Sequence, residues 1–174
     1  MRNVRRSFAV GVALATVLLG TAGKMDKLAD YERDHYSALV VWFEDEKKET
    51  KAWLKLKTPE ERDQWLKDNG YWNHFYKHSE EERAEILGRE PKIGWTQDMV
   101  YMAWGAPYRK TKSTKRTAQN TTILTYRMQV TPDGRHLIYI PNSKATYKAV
   151  DRYSQELVLD DEKVTEIRRK EGWE

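Results

Sequence analysis

Two histidines of this chain have a spacing that suits a metal ion. His74 and His78 are four residues apart, which would place both imidazoles on one face of a helix, as in a zinc-binding helix. A zinc hydrolase helix of this kind carries a glutamate directly after the first histidine, whereas Phe75 occupies that position here. Two histidines in an aromatic, basic neighbourhood more often serve packing or lie at the surface. We therefore expect no metal and no cofactor.

The other groups that could act as nucleophiles, acids or bases lack the neighbours that such chemistry needs. Asp34 with His35, and Asp133 near His136, have no serine nucleophile framework around them. The chain has no glycine-rich phosphate loop and no cysteine. Carboxylates are plentiful in three segments, where they fit helix caps and solvated pairs spaced i, i+4. The sequence therefore predicts no catalytic residue and a protein that is not an enzyme.

The most concentrated charge lies in the segment Tyr108 to Arg116, whose cationic residues we take as candidates for contact with an anionic surface. The five cations are Arg109, Lys110, Lys112, Lys115 and Arg116. The segment has no apolar periodicity, so we expect a solvated loop before the first strand. A functional alternative is contact with anionic lipid headgroups, an acidic glycan or a negatively charged partner protein.

The beginning of the chain has the pattern of an export signal. Three arginines within the first six residues form a basic region, Phe8 to Gly20 is an apolar run, and small residues follow as at a signal-peptidase site. The run is short for a spanning helix, which needs about 20 residues. We expect residues 1–23 to be a signal peptide, with an uncleaved anchor as the alternative, and the protein to be exported to the periplasm or the outer-membrane periphery.

Removal of this segment changes the class of partner that the charge suggests. It takes away three basic and no acidic residues, which lowers the formal charge from +4 to +1. A nearly neutral, exported protein gives no reason to expect nucleic acid as a partner. Lys24 stands where a lipidated cysteine would follow the apolar run, so the chain lacks the attachment point of a lipoprotein.

Capping residues and glycines, which mark where helices begin and end, predict several short helices. The apolar pattern is helical from Met25 to about Leu56, and capping boxes begin at Thr58 and Ser79. Such short helices need tertiary packing to persist. The aromatic segment 71–76 fits a packing cluster between helices, with a ligand groove or a partner surface as the alternative.

The stretch GWTQDMVYMAWGAP, residues 94–107, predicts one sharply bounded helix. Thr96 is a good N-cap, Gly105 suits a left-handed C-terminal position, and Pro107 prevents continuation. Apolar residues within it follow the helical spacing, so the helix buries one face.

After Pro107 the apolar pattern changes to alternation. Leu124 to Val130 alternates, a turn follows at 132–134, and a returning strand is expected at 137–140. Two further strands are expected within 147–159 and around 164–168. We therefore predict an α+β fold in which short helices pack on a small antiparallel sheet, with an additional charged, aromatic-rich helical region at 24–90 before an α+β domain at 91–174.

The motif Gly94-x-Thr96-x-x-x-Val100-x-x-x-x-Gly105-x-Pro107, followed by an alternating strand and a closing hairpin, resembles the SmpA/OmlA family. Members are small outer-membrane lipoproteins, of the type represented by the E subunit of the β-barrel assembly machine. The resemblance covers residues 91–168 and implies short helices on a small antiparallel sheet. It also implies a non-enzymatic role that supports an outer-membrane assembly complex, with purely structural roles for the motif residues.

Two departures separate this chain from that family. The lipidated cysteine is absent, and the family lacks the helical region 24–90. We expect a non-enzymatic cell-envelope protein that supports outer-membrane protein assembly or envelope integrity by contacting an envelope protein or assembly complex. A general periplasmic binding or inhibitory module is one alternative. A ligand-binding protein or enzyme that uses the aromatic N-terminal region is the other.

Overall fold

The computed structural model describes residues 22–114, 118–141 and 148–173. In this part of the chain seven α-helices precede five β-strands, which confirms the predicted α+β fold. The helices are α1 (Ala22–Met25), α2 (Asp30–Leu39), α3 (Glu46–Trp53), α4 (Pro59–Asp68), α5 (Trp72–Tyr76), α6 (Glu80–Gly88) and α7 (Gln97–Trp104). The strands are β1 (Arg109–Ser113), β2 (Thr121–Val130), β3 (His136–Ile138), β4 (Asp151–Asp160) and β5 (Lys163–Glu171).

The sheet is antiparallel throughout, with strand order β1-β2-β4-β5. The short strand β3 pairs with the end of β2 that β1 leaves uncovered, so β1 and β3 lie along the same edge of β2. Asp161 and Glu162 connect β4 to β5 and both have positive φ, at 48° and 70°. Two such residues in succession match the twist of a tight hairpin. The predicted antiparallel sheet is confirmed, but it is not a simple meander, because β4 pairs with β2 rather than with β3. The returning strand β3 is also shorter than expected.

The helical pattern predicted from Met25 to Leu56 is interrupted. A 3₁₀ turn, Val40–Trp42, follows α2, and Phe43 then takes an extended conformation with φ −64° and ψ 131°. Asp45 restarts the helix by accepting a hydrogen bond from the Lys48 backbone N–H at 2.9 Å. Apolar residues continue across the break because both helices face one core, so periodicity alone does not reveal the interruption.

The predicted helix starts at Thr58 and Ser79 are confirmed. Each hydroxyl accepts a hydrogen bond from the N–H three residues later, at 3.2 Å in both cases. The glutamates at those positions, Glu61 and Glu82, accept from the cap backbone in return. These reciprocal bonds satisfy donors that helix ends otherwise leave open.

Helix α7 begins and ends where the sequence predicts, and both ends are tied to the sheet. Thr96 accepts from the Met99 N–H at 3.4 Å. Just before it, Gly94 N–H donates to the Val164 carbonyl at 2.7 Å, with Gly94 at φ 92°. At the other end the Gly105 carbonyl accepts from the Tyr126 hydroxyl at 2.9 Å.

Gly105 differs in detail from the prediction. Its φ of 76° is positive as expected, but ψ is −167° rather than the value of the left-handed helix. That combination is essentially restricted to glycine. The turn therefore depends on glycine more strictly than a left-handed cap would, because asparagine does not replace it there.

One hydrophobic cluster contains residues from the helical region and from the sheet. Leu39 and Leu66 of the helices, Val100 of α7, and Leu124 and Leu157 of the sheet are all 0 % exposed. The aromatic segment 71–76 contributes buried side chains to the same cluster, which confirms its packing role. Within the described residues, no helix has both the length and the apolar character needed to cross a membrane.

We predict that Gly105→Ala destabilises the fold, whereas Gly88→Ala does not. An alanine at φ 76° and ψ −167° costs about 1–3 kcal/mol of backbone strain. Gly88 lies in α6 with open space around its α-carbon, so alanine there is neutral or slightly stabilising. Urea unfolding of the two variants measures the difference. Equal midpoints for both would contradict the assigned helix end.

Candidate functional site

The structure places three of the five predicted contact cations in a strand. Arg109, Lys110 and Lys112 belong to β1, which pairs with β2 from Arg109↔Thr125 to Ser113↔Thr121. The expectation of a loop is therefore wrong for these three residues. An edge strand that is exposed on both sides needs no apolar alternation, which is why the hydrophobic pattern did not reveal it. Lys115 and Arg116 lie outside the described residues.

The pleat of β1 divides these cations between the two faces of the sheet. Lys110 is opposite Leu124, on the face that packs against the helices, whereas Arg109 is opposite Thr125 on the other face. Residues directly opposite each other in an antiparallel pair share a face. Arg109, Lys110 and Lys112 are therefore not a single patch.

Arg109 instead joins cations from other strands. We call this set the basic face of the sheet. Thr125 pairs with Glu156 and Glu156 with Arg168, while Arg127 pairs with Ser154 and Ser154 with Lys170. Arg152, opposite Gln129, continues the same face. The basic face comprises Arg109, Arg127, Arg152, Arg168 and Lys170.

Two carboxylates order the basic face. The Glu156 side chain is 7 % exposed and accepts a hydrogen bond from Lys170 Nζ at 2.8 Å. Glu166 accepts two hydrogen bonds from Arg168, both at 2.6 Å, in the bidentate geometry that favours arginine. Five cations against these two anions leave the face with a positive excess.

Aromatic rings hold the guanidinium groups in place. The Arg127 guanidinium lies 3.6 Å from the centroid of the Tyr108 ring and 5.4 Å from that of Trp173. Arg152 lies 5.0 Å from the same Trp173 ring. Trp173 is itself fixed, because its indole N–H donates to the Met128 carbonyl at 3.1 Å. Cation–π contacts of this kind limit the motion of the cations without neutralising them.

A small recess lies among these side chains, lined by Arg109, Arg127, Glu156 and Lys170 together with Tyr108, Thr125 and Ser154. It is far smaller than the clefts that enclose metabolites or drug-sized ligands. The chemistry it offers is therefore that of a contact surface: planar cations and aromatic edges presented to an anionic partner.

The cations of the basic face outside β1 were missed by the sequence analysis. The sequence does contain the pattern that places Arg127 on the outer face, because Arg127 lies between the core residues Tyr126 and Met128. Arg168 and Lys170 flank the exposed Arg169, in a part of β5 where no buried residue marks the face. Only the pairing of β2, β4 and β5 brings the three residues onto one face, and pairing cannot be taken from periodicity.

A second cluster of polar groups surrounds His35 in the helical region. His35 Nδ1 lies 3.2 Å from Asp63 Oδ1, and Nε2 lies 2.5 Å from the Tyr76 hydroxyl. Since a carboxylate only accepts, the neutral ring donates from Nδ1 to Asp63 and accepts from Tyr76 at Nε2. Trp72 stacks on Tyr76 with ring centroids 4.0 Å apart. The residues are 28 and 41 positions from His35 in sequence, so no local pattern predicts this arrangement.

The histidine pair with metal-ligand spacing does not share a helix. Helix α5 ends at Tyr76, so His78 lies beyond it. His74 stacks on Trp42 with ring centroids 4.2 Å apart, and His78 Nδ1 lies 3.4 Å from Glu82. No group of three metal-ligating side chains occurs among the residues that the structure describes.

Comparisons of the chain with protein-family models, with curated proteins and with solved structures give no match. The α+β class follows from the structure itself. The resemblance to the SmpA/OmlA family rests on the sequence motif alone.

We predict that His35 makes stability depend on pH. Burial lowers the pKa of His35, with Asp63 opposing that effect. The unfolded chain therefore binds a proton more readily than the folded one, and the free energy of unfolding falls as the pH drops below about 6.5. Urea unfolding at about pH 7.5 and pH 5.5 should show a smaller fall in His35→Gln than in wild type.

His74→Gln is the matched control, because burial also lowers the pKa of His74. His74→Gln should remove only the part of the pH-dependent fall in unfolding free energy that is due to His74. The part that is due to His35 should remain. An unchanged pH dependence in His35→Gln would show that the buried imidazole does not couple proton binding to folding.

Proposed function

We propose that this protein is a non-enzymatic, exported component of the cell envelope that supports outer-membrane protein assembly or envelope integrity by binding another protein. The observation that carries the contact role is the basic face. Its cations are gathered from β1, β2, β4 and β5, and most of them are held by aromatic rings or by the carboxylates of Glu156 and Glu166. A preorganised charged surface binds a complementary surface at a smaller entropic cost than free side chains do.

The motif resemblance supports the envelope part of the proposal. Gly94, Thr96, Val100 and Gly105 have structural roles in the fold, since they pair, cap, pack and turn the chain. Pro107 lies between α7 and β1. With these residues engaged in the frame of the fold, the surface of the sheet remains to define the partner.

A ligand-binding or catalytic role of the aromatic region is the second candidate. The Asp63–His35–Tyr76 chain favours it, because a neutral imidazole beside a hydroxyl is a potential general base. Both imidazole nitrogens are engaged by neighbouring side chains, and burial raises the pKa of Tyr76. These contacts serve helix packing, so the contact role is better supported.

Export predicts a defined mature N-terminus. Cleavage after the apolar run should leave a chain that begins between about Gly20 and Lys24. Mass spectrometry of the protein isolated from cell-envelope fractions measures this end directly. An intact Met1 in a cytoplasmic fraction would contradict the location on which the proposed function depends.

If this protein binds a partner protein through its basic face, capture of that partner should depend on the cations of the basic face. We would compare wild type with a basic-face variant, Arg127→Gln, Arg152→Gln and Arg168→Gln together. The matched control is Lys47→Gln, Lys48→Gln and Lys51→Gln, which removes the same charge from exposed positions of α3. Capture from envelope extracts, followed by mass spectrometry, should retain a defined set of proteins with wild type and control and lose it with the basic-face variant.

Added salt should weaken the same capture, because exposed charges are screened. Vesicles with and without anionic lipid distinguish a headgroup from a protein as the source of negative charge. Identical capture by both triple variants would show that the basic face is not the contact surface. Urea unfolding of each variant checks that the fold is intact.

A further inference from the structure

The recess in the basic face is formed by two small residues among longer ones. Thr125 of β2 and Ser154 of β4 are diagonal neighbours on this face, since Thr125 pairs with Glu156 and Arg127 pairs with Ser154. Both are nearly buried, at 6 % and 5 % exposed, and both line the recess. Their short side chains leave a depression between the longer ones, with room for a single water-sized group.

One oxygen of the Glu156 carboxylate is an unused acceptor at this recess. Lys170 Nζ donates to Oε1 at 2.8 Å. Within the described residues Oε2 has no hydrogen-bond partner, although only 7 % of the Glu156 side chain is exposed and Glu156 lines the recess. A nearly buried acceptor without a donor costs free energy. A group that enters the recess is therefore favoured when it carries a proton that Glu156 accepts.

The Thr125 hydroxyl is the second unused polar group of the recess. In the same described part of the chain it has no hydrogen-bond partner, whereas the Ser154 hydroxyl donates to the Gly172 carbonyl at 3.1 Å. A threonine hydroxyl both donates and accepts. An oxygen atom held in the recess thus has an acceptor in Glu156 for its own proton and a donor in Thr125.

The charge around the recess selects an anion that also carries a proton. Arg109, Arg127 and Lys170 line the recess against the single carboxylate of Glu156, which leaves a positive excess. The Arg127 guanidinium keeps its charge while it lies 3.6 Å from the centroid of the Tyr108 ring. A carboxylate or a sulfate offers only acceptors near neutral pH, so its oxygen would face the unused oxygen of Glu156. A phosphomonoester monoanion combines negative charge with a P–OH donor.

We propose that this recess binds the terminal phosphate of a phosphomonoester, with the P–OH group donating to Glu156 Oε2. The Thr125 hydroxyl donates to the same phosphate oxygen, and the surrounding cations lie against the others. The inference goes beyond the proposed protein-binding role, because it assigns a ligand to one point of the basic face. A lipid headgroup and a soluble phosphate ester both present this group, whereas a phosphodiester lacks the proton.

Methyl phosphate and dimethyl phosphate separate the hydrogen bond from the charge. At about pH 5 both are monoanions, because the second ionisation of a phosphomonoester has a pKa of about 6. Only methyl phosphate has a proton to donate. We would titrate each into the intact protein at this pH, follow the amide and methyl shifts of Thr125 by NMR, and check the fold by near-UV circular dichroism. We expect methyl phosphate to bind about tenfold more tightly, and equal affinities would overturn the assignment.

Two variants test the residues of the recess. Glu156→Gln should abolish the preference for methyl phosphate, since the amide NH₂ donates to an oxygen without a proton and its carbonyl still accepts from Lys170. Thr125→Val removes the hydroxyl and should weaken methyl phosphate binding about threefold or more. Thr111→Val is the matched control, because Thr111 is exposed on the same face outside the recess, and it should bind as wild type does. A preference that persists in Glu156→Gln would overturn the role of its carboxylate.

Vesicles identify the source of the phosphate. Phosphatidylcholine vesicles with phosphatidic acid present the monoester, and those with the same fraction of phosphatidylglycerol present a diester. Preferential binding to phosphatidic acid supports a headgroup as the ligand, whereas a preference in solution without vesicle binding supports a soluble ester.

The two proposals for the basic face fail separately. If methyl phosphate shows no preference while envelope proteins are still captured through the basic face, the phosphate site is overturned and the protein-binding role stands. If methyl phosphate is preferred but the basic-face variant captures the same proteins as wild type, the phosphate site is supported and the protein-binding role is overturned.

Discussion

Fixation of α7 at both ends is the constraint on which the rest of the structure depends. Before α7 the backbone at Gly94 and Trp95 pairs with Val164, and after it the Gly105 carbonyl accepts from the buried Tyr126 hydroxyl. A helix of eight residues does not persist in water alone, so these bonds and its buried face hold it in place. Helices α2 and α6 then pack against α7. Trp104 of α7 in turn contacts Tyr126 of the sheet, with ring centroids 5.0 Å apart.

Because the helices cover one face of the sheet, only the other face and the edges remain for a partner. The inner residues of β2 and β4, such as Leu124, Met128 and Leu157, are buried with the helices. The opposite face and the β1 edge carry the cations. Glu156 and Lys170 show how charge is kept there: a nearly buried carboxylate holds an ammonium at 2.8 Å. A buried carboxylate without its cation would be costly, so structure and surface charge are linked at this residue pair.

Local chemistry predicted the helix caps and the strand periods, because a cap or a pleat depends on residues a few positions apart. Thr58, Ser79 and Thr96 cap as expected, and Gly105 turns the chain after α7. The basic face could not be predicted as a unit, since it depends on pairings such as Thr125↔Glu156 between distant segments. The strand character of Arg109 to Ser113 was missed because exposure on both faces removes the alternation that marks a strand.

The cations of β1 have a consequence for specificity that follows from their position at an edge. Lysine and arginine on an edge strand discourage pairing between identical chains, since like charges would lie opposite each other. Arg109 also belongs to the basic face, where it lines one recess together with Arg127. The basic face therefore reaches the edge of the sheet at Arg109, while Lys110 and Lys112 lie on the face that packs against the helices.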